Sequence, residues 1–433
     1  MVESTSHPPG PTAKISDVLP SYRPTKVFRP SSSATSSSTS ASRPPKSSSS
    51  PCYITGLDFD DQGDYLASTS TDEAIHIYNV KEGHISQVIP SKKYGCHLPR
   101  FTHSSTQMLY ASTKVDDALR LLDLQSEQYL RYFSGHKGKV TSIALSPGSD
   151  GFLTCGRDDT VMLWDLSSRN AQGKLRLATP YQAAFDPSGY VFAVASQSTA
   201  SILLYDYRNF DKPPFATFDM APLEERYFNA PGAKSKGRSI WNKLEFSNDG
   251  KYILVSNDWG GHYLLDAFDG SLKAFLSGKS GHTGRRIAPS TSPVASTRGD
   301  VPVGQGDTTF SPDGRYVVGG SGGHSGMPDD PAELLTWDLT NQVDGNIVLK
   351  PAFRLPAVPA GSNSAGRGST NAGRVGRPVV TVMNPRYNML ATADKEVVFW
   401  VPEDTSSGNA GGAGGSGGDN TAGGNTPATA GGQ

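Results

Sequence analysis

Short apolar runs recur along this chain, each closed by an aromatic residue or leucine and, in all but the last, by Asp or Asn. They read Ile75–Asn79, Leu119–Asp123, Val161–Asp165, Ile202–Asp206, Tyr263–Asp266, Leu334–Asp338 and Val397–Trp400. Their anchors stand at 78, 122, 164, 205, 265, 337 and 400, at intervals of 44, 42, 41, 60, 72 and 63 residues. Ahead of most anchors a second apolar run leads into a tight turn: Leu57–Gly63, Ala144–Pro147, Ala184–Gly189, Leu244–Gly250 and Thr309–Gly314. Proline presets φ in such turns and glycine supplies positive φ, as a hairpin between short strands requires. A further strand follows each turn, at Tyr65, Phe152, Val191, Tyr252 and Tyr316. Short alternating strands between regular turn signals predict antiparallel sheet.

Three of the intervals equal one WD40 period, and the other three equal a period plus an insertion. Seven units of four strands predict an all-β chain, a seven-bladed WD40 β-propeller. The third repeat is the most complete, with Gly135-His136 opening it, Asp158 six residues before Trp164, and Asp165 after. In blades of this kind a buried His, a strand Ser or Thr, a turn Asp and the Trp form a hydrogen-bond chain. Here those posts fall to His136, Thr154, Asp158 and Trp164. The same residue types could be mistaken for a hydrolase triad, but each has a structural post and no GxSxG elbow is present.

The seventh repeat ends at Trp400-Val401-Pro402 without an outer strand, and an open sheet edge invites mispairing. The run Thr25-Lys26-Val27-Phe28-Arg29 is the candidate at the other terminus. It is expected to close the ring, the alternative being that residues 21–29 are further tail. Residues 21–402 then form the propeller. Residues 31–50 (nearly all Ser, Thr, Ala and Pro) and 403–433 (mostly Gly, Asn, Ala and Thr) cannot bury enough apolar surface to offset chain entropy. Both are expected to be disordered, as is the terminus at 1–20. Insertions are expected near 219–239, 278–306 and 340–377. They read as solvated decoration or, given Arg285, Arg286, Arg367, Arg374 and Arg377, as extra contact to a phosphorylated or nucleic-acid partner.

Charge selects no partner, since 40 Lys and Arg face 41 Asp and Glu. The three cysteines, Cys52, Cys96 and Cys155, are odd in number and unrelated in spacing, which argues against a zinc site and against a disulfide framework. No signal peptide and no membrane span is legible, so a reducing compartment, cytosol or nucleus, is expected. Ser277-Gly278-Lys279-Ser280 suggests a phosphate loop, but that motif needs Gly at 273, where Lys stands. No catalytic residue, metal or cofactor is expected. Lys92, Lys93 and Tyr94 offer two charges and an aromatic between the first two repeats, suited to an acidic or phosphorylated peptide, or simply a solvated loop. Arg100, Asp116, Asp117 and Arg157 are further partner-binding candidates.

Several strings outside the repeat pattern resemble one family. They include Ser91-Lys92-Lys93-Tyr94-Gly95, Thr113–Asp117, Tyr129–His136, Phe185–Gly189, Asp206–Phe218, Phe246–Lys251, Asp266–Phe268 and Phe399–Pro402, with Lys26–Arg29 at the start. The family is the WD-repeat subunit of COMPASS, the complex that methylates lysine four of histone H3. The Ser-rich segment, the insertions, the long tail and Cys96-His97-Leu98-Pro99 depart from its pattern. The resemblance implies a nuclear, non-catalytic docking subunit, a monomer within a hetero-oligomer. Its implied partners are methyltransferase subunits and transcribing RNA polymerase II through its phosphorylated tail. The resemblance also implies sharing with the cleavage and polyadenylation machinery and termination complexes. No membrane and no sequence-specific nucleic acid is expected. Another propeller adaptor, such as a ubiquitin-ligase receptor, is the competing reading.

Overall fold

The computed structural model describes residues 14–29, 52–228, 240–258, 260–279, 306–322, 333–341, 347–356 and 376–403. Their strands form seven sheets, antiparallel apart from one added strand, in which the first three strands of each blade pair in sequence order. Blade three is representative, with Val140–Leu145 innermost, then Gly151–Gly156, Thr160–Asp165 and Gly173–Arg176 at the rim. The third strands of such blades are buried on both faces, because each sheet is sandwiched between two neighbours. They therefore read as continuous apolar runs. Outer strands bury one face only: Gln128–Phe133 alternates exposed and covered positions up to Phe133.

Seven buried apolar clusters hold the ring, each shared by two adjacent blades. Between blades two and three, Phe133 meets Phe152 edge-on at 5.0 Å and Trp164 at 5.7 Å. All seven anchors, Tyr78, Leu122, Trp164, Tyr205, Leu265, Trp337 and Trp400, are buried on third strands.

Blade seven consists of Val380–Met383, Leu390–Ala393 and Val397–Pro402, and its fourth strand is Tyr22–Phe28. The register runs from Tyr22 opposite Pro402 to Phe28 opposite Val397, with an irregularity between Pro24 and Lys26. Lys26 and Val27 face Phe399 and Val398 across the ladder. Phe28 packs 4.9 Å from both Tyr78 of blade one and Phe399, so this strand also seals the joint between the first and last blades.

Ordered structure extends further than expected at four places. Residues 1–20 were expected to be disordered, yet Ile15–Val18 form a helical turn, Leu19–Ser21 a 3-10 turn, and Leu19 is fully buried between blades six and seven. The first insertion carries the helix Ala221–Tyr227, tied down by Trp241 Nε1 donating to Glu224 at 2.8 Å and by Tyr227 stacked 4.1 Å from Phe275. The second is pinched at its base: Lys279 and Asp307, on either side of 280–305, form a buried ion pair at 2.7 Å. The third contains two strands. Phe353–Pro356 is the outer strand of blade six, and Val348–Leu349 pairs in parallel with Phe275 and Leu276 as a fifth strand of blade five. Residues 31–50 and 404–433, and the remainder of the three insertions, lie outside the described residues.

Candidate docking surface

In blade three His136, Thr154, Asp158 and Trp164 are linked in one chain. Trp164 Nε1 donates to Thr154 Oγ1 at 2.9 Å, Thr154 and His136 Nε2 lie 2.7 Å apart, and His136 Nδ1 lies 3.0 Å from Asp158. Burial holds His136 below its usual range, hence neutral. A neutral ring beside a carboxylate must donate from Nδ1, so Nε2 accepts and the Thr154 hydroxyl donates to it. Burial pushes Asp158 up, but donors from Lys137 N–H, His136 and Thr160 outweigh it and keep the carboxyl below its ordinary value. These four side chains tie the strands together and leave no free nucleophile.

The links from an outer strand to the next inner strand, and from second to third strands, emerge at the same end of the ring. Lys92, Lys93 and Tyr94 sit on a link of the first kind. Asp116, Asp117 and Arg157 sit on links of the second kind, in blades two and three. The 91–95 turn is fixed by Ser91 O, which accepts from Tyr94 N at 3.2 Å and Gly95 N at 2.7 Å. Gly95 has φ +66°, and a Cβ there would collide with the Thr113 hydroxyl, so this position requires glycine. Tyr94 O in turn accepts from Thr113 N and Lys114 N at 3.0 and 2.8 Å, which fastens the turn to blade two.

Beneath it lies Arg120, fully buried on the strand Leu119–Asp123. Its guanidinium stacks 3.6 Å from the Tyr94 ring centroid and lies 5.4 Å from that of Tyr132. It forms two parallel bonds to Asp116, at 3.0 and 2.9 Å, and also touches the Ser112 hydroxyl. Tyr129 meets Tyr94 edge-on at 6.2 Å. Tyr94 is therefore a structural shelf as well as a surface group. Lys93 lies with its ammonium 5.0 Å over that ring, and Lys92 projects into solvent. Arg120, Tyr129 and Tyr132 were not singled out from sequence. The available signal was an arginine inside an otherwise apolar run, Leu119-Arg120-Leu121-Leu122.

The remaining candidates disperse. Asp117 is half-buried; burial and the Asp116 charge push its carboxyl up, and blade three's His136, Asp158 and Lys139 also act on it. Arg157 donates its backbone N–H to Lys139 O at 3.0 Å. Arg100 belongs elsewhere, near the far end of its inner strand, His97–Phe101. There it pairs with Asp58 at 3.2 Å and donates to Ile143 O. Burial pushes the Asp58 carboxyl up to about 6 despite that arginine. Both line a channel of about 440 Å³ bounded by all seven blades. Four of its other titratable groups are mutually paired, His103 with Asp61 at 2.9 Å and Lys243 with Glu245 at 2.8 Å, and Asp60 accepts from Tyr65 N at 2.8 Å.

The family model described as WD domain, G-beta repeat matches residues 45–79 and 127–165. The chain is 35% identical to WD repeat-containing protein 82 of Drosophila melanogaster over 81% of its own length and 90% of that protein. It is 32% identical to COMPASS component SWD2 of Saccharomyces cerevisiae, covering 81% of this chain and 91% of the relative. It is 42% identical to Set1 complex component swd2 of Schizosaccharomyces pombe over 50% of this chain and 58% of that one.

Proposed function

The chain belongs to the family of the WD-repeat subunit of COMPASS and Set1 complexes, and from that premise we propose that it is a non-catalytic docking subunit of a nuclear histone H3 lysine-four methyltransferase complex. The observation that carries the reading is near full-length similarity to relatives named as components of such complexes, on a rigid ring whose conspicuous polar cluster is a structural chain. A propeller face is large enough for an interface of about 800 Å² per partner. The link to RNA polymerase II, and a share in mRNA 3′-end processing, belong to the same proposal.

The surface assigned to the polymerase's phosphorylated tail is the turn of Lys92 and Lys93 on its Tyr94–Arg120 shelf. An exposed pair of ammonium groups beside aromatic rings suits an acidic or phosphorylated peptide. Lys92→Glu combined with Lys93→Glu is expected to weaken binding of a phosphorylated tail peptide about tenfold, equivalent to roughly 1.4 kcal/mol. The loss should shrink with added salt, because exposed charges are screened. Fluorescence anisotropy at two salt concentrations measures it. Unchanged affinity in a folded variant removes this surface from the account.

A further inference from the structure

One blade away, at the rim of blade three, the links Ser134–Lys139 and Arg157–Asp159 and the outer strand Gly173–Arg176 enclose a recess of about 460 Å³. It is lined by Lys137, Lys174, Arg176, Asp158 and Asp159, with Thr160 at its base. Alternation on the outer strand turns Leu175 toward the blade three–four cluster and leaves Lys174 and Arg176 exposed on the opposite face. Residues two apart on a strand stand about 6–7 Å from one another. Two cations thus flank one opening, and Lys137 approaches it from the facing link.

Several cations on the outer strands and their adjoining turns are paired with a nearby carboxylate: Lys81 with Asp64, Lys251 with Asp249, Lys273 with Asp266, and Arg354 with Glu333. The three in this recess are not. Among the described residues, no carboxylate forms an ion pair with Lys137, Lys174 or Arg176. The two acids that share the recess, Asp158 and Asp159, are hydrogen-bonded and leave its lining formally one positive charge in excess. Asp158 accepts from His136, from Thr160 at 2.8 Å and from Lys137 N at 3.0 Å. Asp159 holds the next link by accepting from Thr179 N at 3.0 Å.

We propose that this recess is a second anion subsite, receiving a phosphorylated serine or threonine side chain of a peptide bound across blades two and three. The inference rests on the peptide-docking reading given above. A phosphomonoester is a near-dianion with three acceptor oxygens, so one group can answer three converging cations. A carboxylate brings a single charge and only two oxygens. The recess opens at the same end of the ring as Lys92 and Lys93. A peptide bearing two phosphates, one on each blade, is therefore the ligand that engages both sites.

The test uses the full chain and two probes. Inorganic phosphate, followed by phosphorus-31 relaxation, reports the recess whatever the peptide. A polymerase-tail peptide with two phosphoserines, followed by anisotropy, reports both sites. The variants are Lys174→Glu with Arg176→Glu, the milder Lys174→Gln with Arg176→Gln, and Lys92→Glu with Lys93→Glu. Both recess variants are expected to weaken phosphate binding at least fivefold and the doubly phosphorylated peptide about tenfold, at unchanged melting temperature, while the Lys92/Lys93 variant retains most phosphate binding. Phosphate binding equal to wild type in both recess variants refutes the subsite. Phosphate binding lost in those variants, with no peptide bound even by wild type, upholds the subsite and sinks the polymerase reading instead.

Discussion

Removal of residues 1–30 is expected to yield aggregated or strongly destabilised protein. The deleted segment supplies the whole outer strand of blade seven, six residues of which are in register with Val397–Pro402. Its loss exposes that strand's hydrogen-bonding edge, which templates pairing with other chains. It also removes Leu19 and Tyr22, both fully buried between blades six and seven, and opens the Phe28–Tyr78–Phe399 contact that joins the last blade to the first. Burial of one large apolar side chain stabilises by about 1.5–3 kcal/mol, so these residues together account for a large part of a typical folding free energy. The Arg29–Glu396 pair at 2.9 Å adds little, being exposed on the arginine side. Deletion of 404–433 is the matched control. Its composition cannot bury a core, and the melting temperature should stay close to wild type. Size-exclusion chromatography with thermal melting compares the two. Equal behaviour of both truncations contradicts ring closure by the N-terminal strand.

Asp307→Ala is expected to be the most damaging single substitution outside the apolar clusters, costing about 3–5 kcal/mol. Both members of the Lys279–Asp307 pair are inaccessible to solvent, and Asn242 donates to the same carboxylate at 3.3 Å. Burial opposes ionisation of Asp307, but the adjacent ammonium and His262 outweigh it and hold the carboxyl below its usual range. Removing the carboxylate leaves a buried ammonium whose remaining bond is to Asn257 O at 2.5 Å. Lys279→Met with Asp307→Leu should recover much of the loss, because replacing both charges removes the desolvation cost along with the attraction. Urea unfolding of the two variants measures this. Full stability of Asp307→Ala means that the pair does not hold the base of the second insertion.

The seven blades were legible because the third strands, covered on both faces, are mostly apolar and end in the same kind of residue. Insertions lengthen the interval between Tyr205, Leu265, Trp337 and Trp400 without altering that strand. The missing fourth strand of blade seven was locatable by counting, although its start at Tyr22 rather than Thr25 was not, because Pro24 interrupts the pattern. Phe353-Arg354-Leu355-Pro356 alternates as an outer strand should, but it is only four residues long and was absorbed into an insertion. The Lys279–Asp307 pair was invisible, since its partners are 28 residues apart and join only when the blades close. For the candidate docking surface, sequence singled out the exposed lysines and Tyr94. It missed Arg120 beneath them, because an arginine in a strand reads as surface-facing. Arg100 was grouped with them by charge alone, although strand direction places it toward the other mouth of the channel.

The proposed role is that this chain brings a histone methyltransferase to its partners and performs no chemistry of its own. Affinity purification of the tagged full chain from nuclear extract, with identification of co-eluting subunits and a methyl-transfer assay on each fraction, tests it most directly. Co-elution of a histone H3 lysine-four methyltransferase is expected, with transfer activity in the complex and none in the isolated chain. Methyl transfer by the isolated chain, or a stable assembly that lacks any such methyltransferase, contradicts it.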